Sequence, residues 1–196
     1  MIYFIVTTSI FNDSSIRKSQ YINGISKLKK ILDNNYEIII VENNGKRSTF
    51  LDTLGCKVFY TNNNFLETPN RGHKELQDIL HTIREFNIKD DDFIVKMTGR
   101  YILHDNSEFI NIVKKDIYDC VIKYGPYFKP VNYKVDDCIT GLIGMRCSYI
   151  KQIELPGHTV AIEWNWAKCT RLIEKIYMVD KLGIDICPGG DHYFSV

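Results

Sequence analysis

Midway along the chain an apolar run, Phe93-Ile94-Val95, leads into Lys96-Met97-Thr98-Gly99-Arg100-Tyr101, so that two cations flank a glycine turn. Lys and Arg are the side chains that hold anions, and the carboxyl end of a buried strand is where an α/β protein presents polar groups to a ligand. A buried strand ending in an ordinary surface turn shows the same pattern, because Gly-Arg turns are common. Other residues with chemistry to offer stand at comparable points. The small hydroxyls of Thr7-Thr8-Ser9 close the first apolar run, and Glu42-Asn43-Asn44-Gly45 closes the second. Asn70-Arg71-Gly72-His73 opens one helical pattern and Glu163 another, beside Trp164 and Trp166; Asp191-His192 follows a Gly-Gly pair near the C-terminus.

These residues need elements that bring them together. Tyr3 to Thr7 is continuously apolar, which predicts a strand buried on both faces of a parallel sheet. From Ser15 to Leu32 apolar residues recur every three or four positions, with Lys27, Lys29 and Lys30 late in the run. That is an amphipathic helix with a cationic last turn, which suits the helix dipole. Asn34-Asn35 breaks it, and Glu37 to Val41 is a second buried strand that completes a βαβ unit. A short helix is expected over Thr49 to Leu54 and a strand over Lys57 to Tyr60. Next come a helix capped by Asn70 and facing inward through Leu76, Ile79 and Ile83, and a fourth strand over Phe93 to Met97.

The second half is less regular. Asn106 or Ser107 caps a short helix running to Val113, Asp119 to Tyr124 reads as a strand, Gly125 to Tyr133 as an aromatic loop, and Cys138 to Met145 again as β. The longest helical run is expected over Ala161 to Val179, followed by a short strand near Ile184 to Cys187. The pattern predicts an α/β fold: a single domain, 1–196, with a central, mostly parallel mixed sheet flanked by helices.

Composition narrows the partners. With 25 Lys plus Arg against 24 Asp plus Glu, the formal net charge is +1, so no global field draws the chain to nucleic acid or an anionic membrane. Six scattered cysteines include no Cys-x-x-Cys pair, which argues against a structural zinc site and for reduced thiols in a cytoplasmic protein. The apolar start at Met1 to Val6 lacks the form of a signal peptide, and no segment approaches the ~20 apolar residues of a membrane span.

Laid in order, these stretches resemble the nucleotide-sugar glycosyltransferases of the A-type fold, over nearly the whole chain. The first strand running into Thr7-Thr8-Ser9 resembles the turn where that family holds the nucleoside. Ile39-Ile40-Val41-Glu42-Asn43-Asn44-Gly45 is similar to its second strand, which implies that Glu42 and Asn43 face the base or ribose. Asn70-Arg71-Gly72 resembles the Asn-x-Gly segment beneath the donor, and Gly141 to Gly144 followed by Glu163 is similar in order to the acceptor-side strand and catalytic base. Residues 1–101 would then form the nucleotide-sugar-binding half and 102–196 the acceptor side. The departure lies at Phe93 to Arg100. There the family usually places an acidic pair for a divalent cation, whereas this chain has Lys96, Thr98, Gly99 and Arg100.

The resemblance implies transfer of a sugar from a nucleoside diphosphate donor, a uridine one in this reading, to a hydroxyl of a glycan or small acceptor. No cofactor is expected, and Arg71, Lys96 and Arg100 would neutralise the departing diphosphate, since an Arg fork binds phosphate oxygens bidentately. Strand alternation can turn Lys96 away from the face of Arg100, so Arg100 is the stronger candidate. Glu163 would be the base, although a Glu in a first helical turn is favoured by the dipole without any chemistry. Trp164 and Trp166 would stack on a sugar with Tyr101 nearby, yet residues two apart on a helix point to different sides, so at most one Trp faces the cleft. The alternative is a Mn or Mg site using Asp191 and His192. Two rival functions stand beside the transferase: a non-catalytic nucleotide- or glycan-binding module, and a sugar-phosphate nucleotidyltransferase. The latter normally carries a glycine-rich basic loop after its first strand, and Thr7 to Ser14 has neither a glycine nor a cation. Oligomeric state is not encoded in any of these features.

Overall fold

The computed structural model describes residues 1–11, 14–32, 36–127, 131–187 and 192–196. Its centre is strand β1, Ile2–Thr8, which pairs in parallel with β2, Tyr36–Glu42, on one side and β4, Phe93–Thr98, on the other; β3, Lys57–Tyr60, adds to β2. Side chains of a strand flanked on both sides must be apolar on both faces, which is why these segments read as unbroken Ile, Val and Phe. The first crossover is α1, Ser15–Ile31, whose N-terminus is capped by Ser14; the second is α2, Arg71–Glu85, capped by Asn70. Between them lie the helical turns Phe50–Thr53 and Asn63–Phe65.

After β4 the chain makes β5, Ile102–Leu103, then α3, Glu108–Val113, and β6, Cys120–Ile122. Strand β7, Leu142–Arg146, is followed by α4, Cys147–Ile150, α5, Ile162–Cys169, and β8, Ile176–Met178. Strands β9, Ile184–Ile186, and β10, Phe194–Ser195, come last. The main sheet has seven strands in the order β3-β2-β1-β4-β7-β6-β8, and β7 alone runs against the rest. A second sheet of three strands, β10-β9-β5, sits beyond the end of β4.

Alternation along β1 divides the core. Phe4 and Val6 pack with Tyr21, Ile25 and Leu28 of α1, while Ile5 packs with Leu76, Ile79 and Ile83 of α2 and Trp166 of α5. The two helical layers therefore cover opposite faces. Close approach fixes two glycines: a Cβ at Gly24 of α1 would lie 2.4 Å from the carbonyl oxygen of Gly99, and one at Gly72 of α2 would lie 2.5 Å from the side chain of Ile162.

One long helix over Ala161 to Val179 does not form. Helix α5 ends at Cys169, a helical turn covers Thr170–Leu172, and Ile176–Met178 is strand β8, so among the described residues the longest helix is the 17-residue α1. The open edge of β6 accepts Ile176 and Tyr177 in parallel register, and pairing of a β-branched and an aromatic residue outweighs continuation of the helical period. Likewise only Leu142–Arg146 of the expected Cys138 to Met145 strand is regular; Cys138 makes an isolated bridge to Tyr124. Asn34, Asn35, Phe128, Pro188 and Asp191, part of the expected helix break and turns, lie outside the described residues.

Candidate active site

The carboxyl ends of β1, β2 and β4 meet at one edge of the sheet, and their polar residues are bound into two networks. The first is centred on Glu42, which is 0% exposed. Its carboxylate accepts from Thr8 Oγ1 (2.8 Å), the Ile10 amide (3.1 Å), Asn44 Nδ2 (2.8 Å) and Arg47 Nη2 (3.2 Å). Arg47 in turn donates to the carbonyls of Ile10, Asn44 and Gly45. A buried charge must be paired and hydrogen-bonded, and here the pairing ties the turn after β1 to the turn after β2. Ser9 joins it through its amide on the Tyr21 hydroxyl (2.9 Å) and its Oγ, which accepts from Asn44 (3.2 Å). Glu42 is thus consumed by scaffolding contacts.

Asn43 turns instead to Asp78 of α2, donating at 3.1 Å, and Thr61 and Asn63 donate to the same carboxylate. Burial pushes the Asp78 carboxyl up to about 6, and the three donors work against that rise without cancelling it.

The second network starts at Lys96. Strand alternation puts this side chain on the α2 face, where it is 2% exposed. Its ammonium forms an ion pair with Glu75 Oε1 (2.9 Å) and donates to Thr98 Oγ1 (3.1 Å) and the Thr140 carbonyl (2.6 Å). These three oxygens and its burial hold the Lys96 charge inside the protein. Glu75 Oε1 also accepts from Thr7 Oγ1 at 2.7 Å, and the Thr140 hydroxyl donates to Glu163 Oε1 at 3.1 Å. Glu75, absent from the sequence reading, therefore joins the ends of β1 and β4, and Thr140 carries the network across to Glu163. The only sequence trace of Glu75 is its place on α2 one helical turn beyond Arg71.

Arg100 lies in the turn that follows. The Gly99 amide donates to the Thr7 carbonyl and the Tyr101 amide to the Thr98 carbonyl, both at 3.0 Å, which fixes the turn. The guanidinium stands 5.8 Å from the centre of the Tyr101 ring, and the Tyr193 hydroxyl donates to the Arg100 carbonyl. Tyr101 is itself core: it is buried in the α1-side cluster, and burial pushes its hydroxyl pKa up to about 12. Its ring is therefore not an open stacking surface for an acceptor.

At the start of α2, Asn70 Oδ1 accepts from the His73 amide while Nδ2 donates to the carbonyls of Gly157 (2.6 Å) and Val160 (2.8 Å). His73 Nδ1 stands 3.1 Å from the Pro156 carbonyl, so the 156–160 segment is laced onto this helix start. Arg71 is exposed beside it, and Glu163 sits in the first turn of α5, half-buried. The tryptophans separate as helical geometry requires: Trp164 is 55% exposed and Trp166 is 2% exposed in the core, which removes Trp166 from any acceptor surface.

A further cleft of about 470 Å³ opens on the α1 face, between the start of α1 and residues 47–50, with Arg17, Lys18, Tyr21, Arg47 and Phe50 in its wall. It lies across the sheet from Glu75 and Glu163.

A divalent cation needs converging acidic or imidazole ligands. No group of three or more His, Cys, Asp or Glu suited to a metal converges among the described residues, and the end of β4 presents a buried ammonium. His192 is exposed, and Asp191 lies outside the described residues.

No protein-family model matches the chain, and no curated protein matches it. Solved structures do. A protein from Desulfovibrio desulfuricans assigned as a nucleotide-diphospho-sugar transferase is 10% identical, with a TM-score of 0.53, over 91% of this chain and 79% of that one. The mannosyltransferase PcManGT of Pyrobaculum calidifontis, solved with GDP-Man and Mn2+, is 10% identical with a TM-score of 0.57, over 92% of this chain and 55% of its own. TarS of S. aureus is 13% identical with a TM-score of 0.54, over 91% of this chain. The chain thus spans about half the length of PcManGT and 35% of TarS. Identities this low establish a shared architecture: the chain has the A-type fold found in nucleotide-diphospho-sugar transferases.

Proposed function

We propose that this chain is a glycosyltransferase that moves a sugar from a nucleoside diphosphate donor, a uridine one, to a hydroxyl of a glycan or small acceptor without a divalent cation. The observation that carries the reading is Arg100, a guanidinium beside the Tyr101 ring on a hydrogen-bonded turn at the end of β4, where a metal-using site of this fold would need carboxylates. In the reaction the acceptor oxygen attacks the anomeric carbon, its proton passing to Glu163. The bond from that carbon to the diphosphate breaks, and the electron pair leaves with the phosphate oxygen. Attack in line with the departing group inverts the anomeric centre. Arg100, with Arg71 at the rim, meets the charge that develops on the diphosphate; fixed donors aimed at developing charge need no reorganisation during the step. Thr7, Thr8, Ser9, Asn43 and Asn70 serve by holding the edge in shape, and Trp164 offers an exposed ring to the acceptor.

A donor-turnover assay over a panel of nucleotide sugars, with and without chelator, tests this. Turnover should survive chelation, and Arg100→Ala should lower it about 100- to 1,000-fold, the usual cost of removing one such donor. Complete loss of turnover in chelator would refute the metal-free step, and an unimpaired Arg100→Ala enzyme would refute the role given to Arg100. One observation favours the non-catalytic rival: Lys96 and Glu42 are both consumed by internal contacts. Binding of a nucleoside diphosphate with no turnover of any donor and acceptor pair would establish that rival.

A further inference from the structure

Glu75 differs from Glu42 and Asp78 in how it is held. Oε1 accepts from Thr7 at the end of β1 and pairs with the Lys96 ammonium on β4, whereas Oε2 makes no hydrogen bond among the described residues, and the side chain keeps 26% of its surface exposed. The carboxylate is half locked and half open. Glu163 repeats the arrangement, with Oε1 on Thr140 and Oε2 making no hydrogen bond among the described residues. The two are joined through the Lys96 ammonium and the Thr140 residue, which contacts one through its carbonyl and the other through its hydroxyl. A carboxylate oxygen whose partner oxygen is fixed by a charged donor is a pre-oriented acceptor for a neutral hydroxyl, and a charge-assisted hydrogen bond of that kind is roughly twice as strong as a neutral one.

We infer that Glu75 binds a ring hydroxyl of the donor sugar, and that Lys96 is the positioning residue that aims it. This rests on the transferase reading. The donor is favoured over the acceptor because Glu75 is anchored to β1 and β4, the strands whose ends carry Thr7 and Arg100, while Glu163 stands on the far side of Thr140. Lys96 thus acts without touching the ligand: its fixed charge holds Glu75 in one rotamer and offsets the repulsion between that carboxylate and the diphosphate.

Calorimetry with UDP and its hexose and N-acetylhexosamine conjugates, beside GDP and GDP-mannose, reads the inference as the affinity gained when the sugar is present. In Glu75→Gln that gain should fall by about ten- to a hundredfold, the worth of a hydrogen bond to a charged group. Affinity for the bare nucleotide and the melting temperature report that the fold is intact, and Glu75→Asp should keep part of the gain. Lys96→Met should lose the gain to a similar extent, and the double variant no more than either alone, a coupling that a purely structural lysine would not show. A donor lacking the contacted hydroxyl should bind wild type and Glu75→Gln alike. If wild type binds nucleotide and Glu75→Gln keeps the full sugar gain, or changes only the KM for acceptor, the inference is overturned while the transferase reading stands. If wild type binds no nucleotide at all, both fall.

Discussion

Asp78 and the two tryptophans give the tests at the scale of single residues. An acid whose folded pKa lies above its unfolded value holds its proton more tightly when folded. The contribution of Asp78 is therefore most favourable below about pH 4 and declines as pH rises to about 6, the value to which burial pushes it from 3.8. Measured as the difference between wild type and Asp78→Asn, unfolding free energy should fall by about 3 kcal/mol over that window and then level off. Urea titrations at half-unit pH steps check this; a difference that is flat or rises with pH refutes it. Trp166→Ala should cost about 3–5 kcal/mol, as for other buried aromatics. Trp164→Ala should leave stability within about 0.5 kcal/mol and raise KM for the acceptor alone.

At the scale of elements, the start of α2 is a tight joint. Gly72→Ala sets a methyl 2.5 Å from Ile162, and helix propensity, which favours Ala by about 1 kcal/mol, opposes the clash. The clash should win by about 1–3 kcal/mol in a denaturant midpoint, and Ile162→Ala in the same chain should recover part of the loss; a more stable Gly72→Ala would mean that α5 yields freely. Strands β1, β2 and β4 are legible in the sequence because burial on both faces leaves nothing but apolar residues between their polar ends. The boundary between α5 and β8 is not, because Trp166, Ile173 and Ile176 keep helical spacing until the edge of β6 claims the last of them. Strands β5 and β10 span two residues each and exist only by pairing with β9. Within the site, the turn of Arg100 is visible as Gly between polar residues. The pairing of Lys96 with Glu75 joins a strand to the helix preceding it, and no local period records such a contact.

For the whole molecule, the core on the two faces of the sheet encloses most of the thiols. None of the six cysteines is in a disulfide; five are buried and Cys56 is half-buried. Alkylation of the native protein should label Cys56 first and the remainder only on unfolding, read by intact mass; early labelling of Cys120 or Cys138 would show that the β6 side opens readily. No helix among the described residues is long and apolar enough to cross a membrane.

The order of the seven strands has one more effect, on how the protein keeps from clumping. Its two open borders are β3 and β8, with four and three residues, and each is marked by a lysine, Lys57 on the one and Lys175 beside the other. Short, charged borders are poor templates for strand addition by a second molecule. That protection matters more here than in a strongly charged protein, because a formal net charge of +1 supplies almost no long-range repulsion between copies. Replacing Lys57 and Lys175 with Val should therefore speed aggregation on gentle heating, as followed by light scattering, with little change in the melting temperature itself.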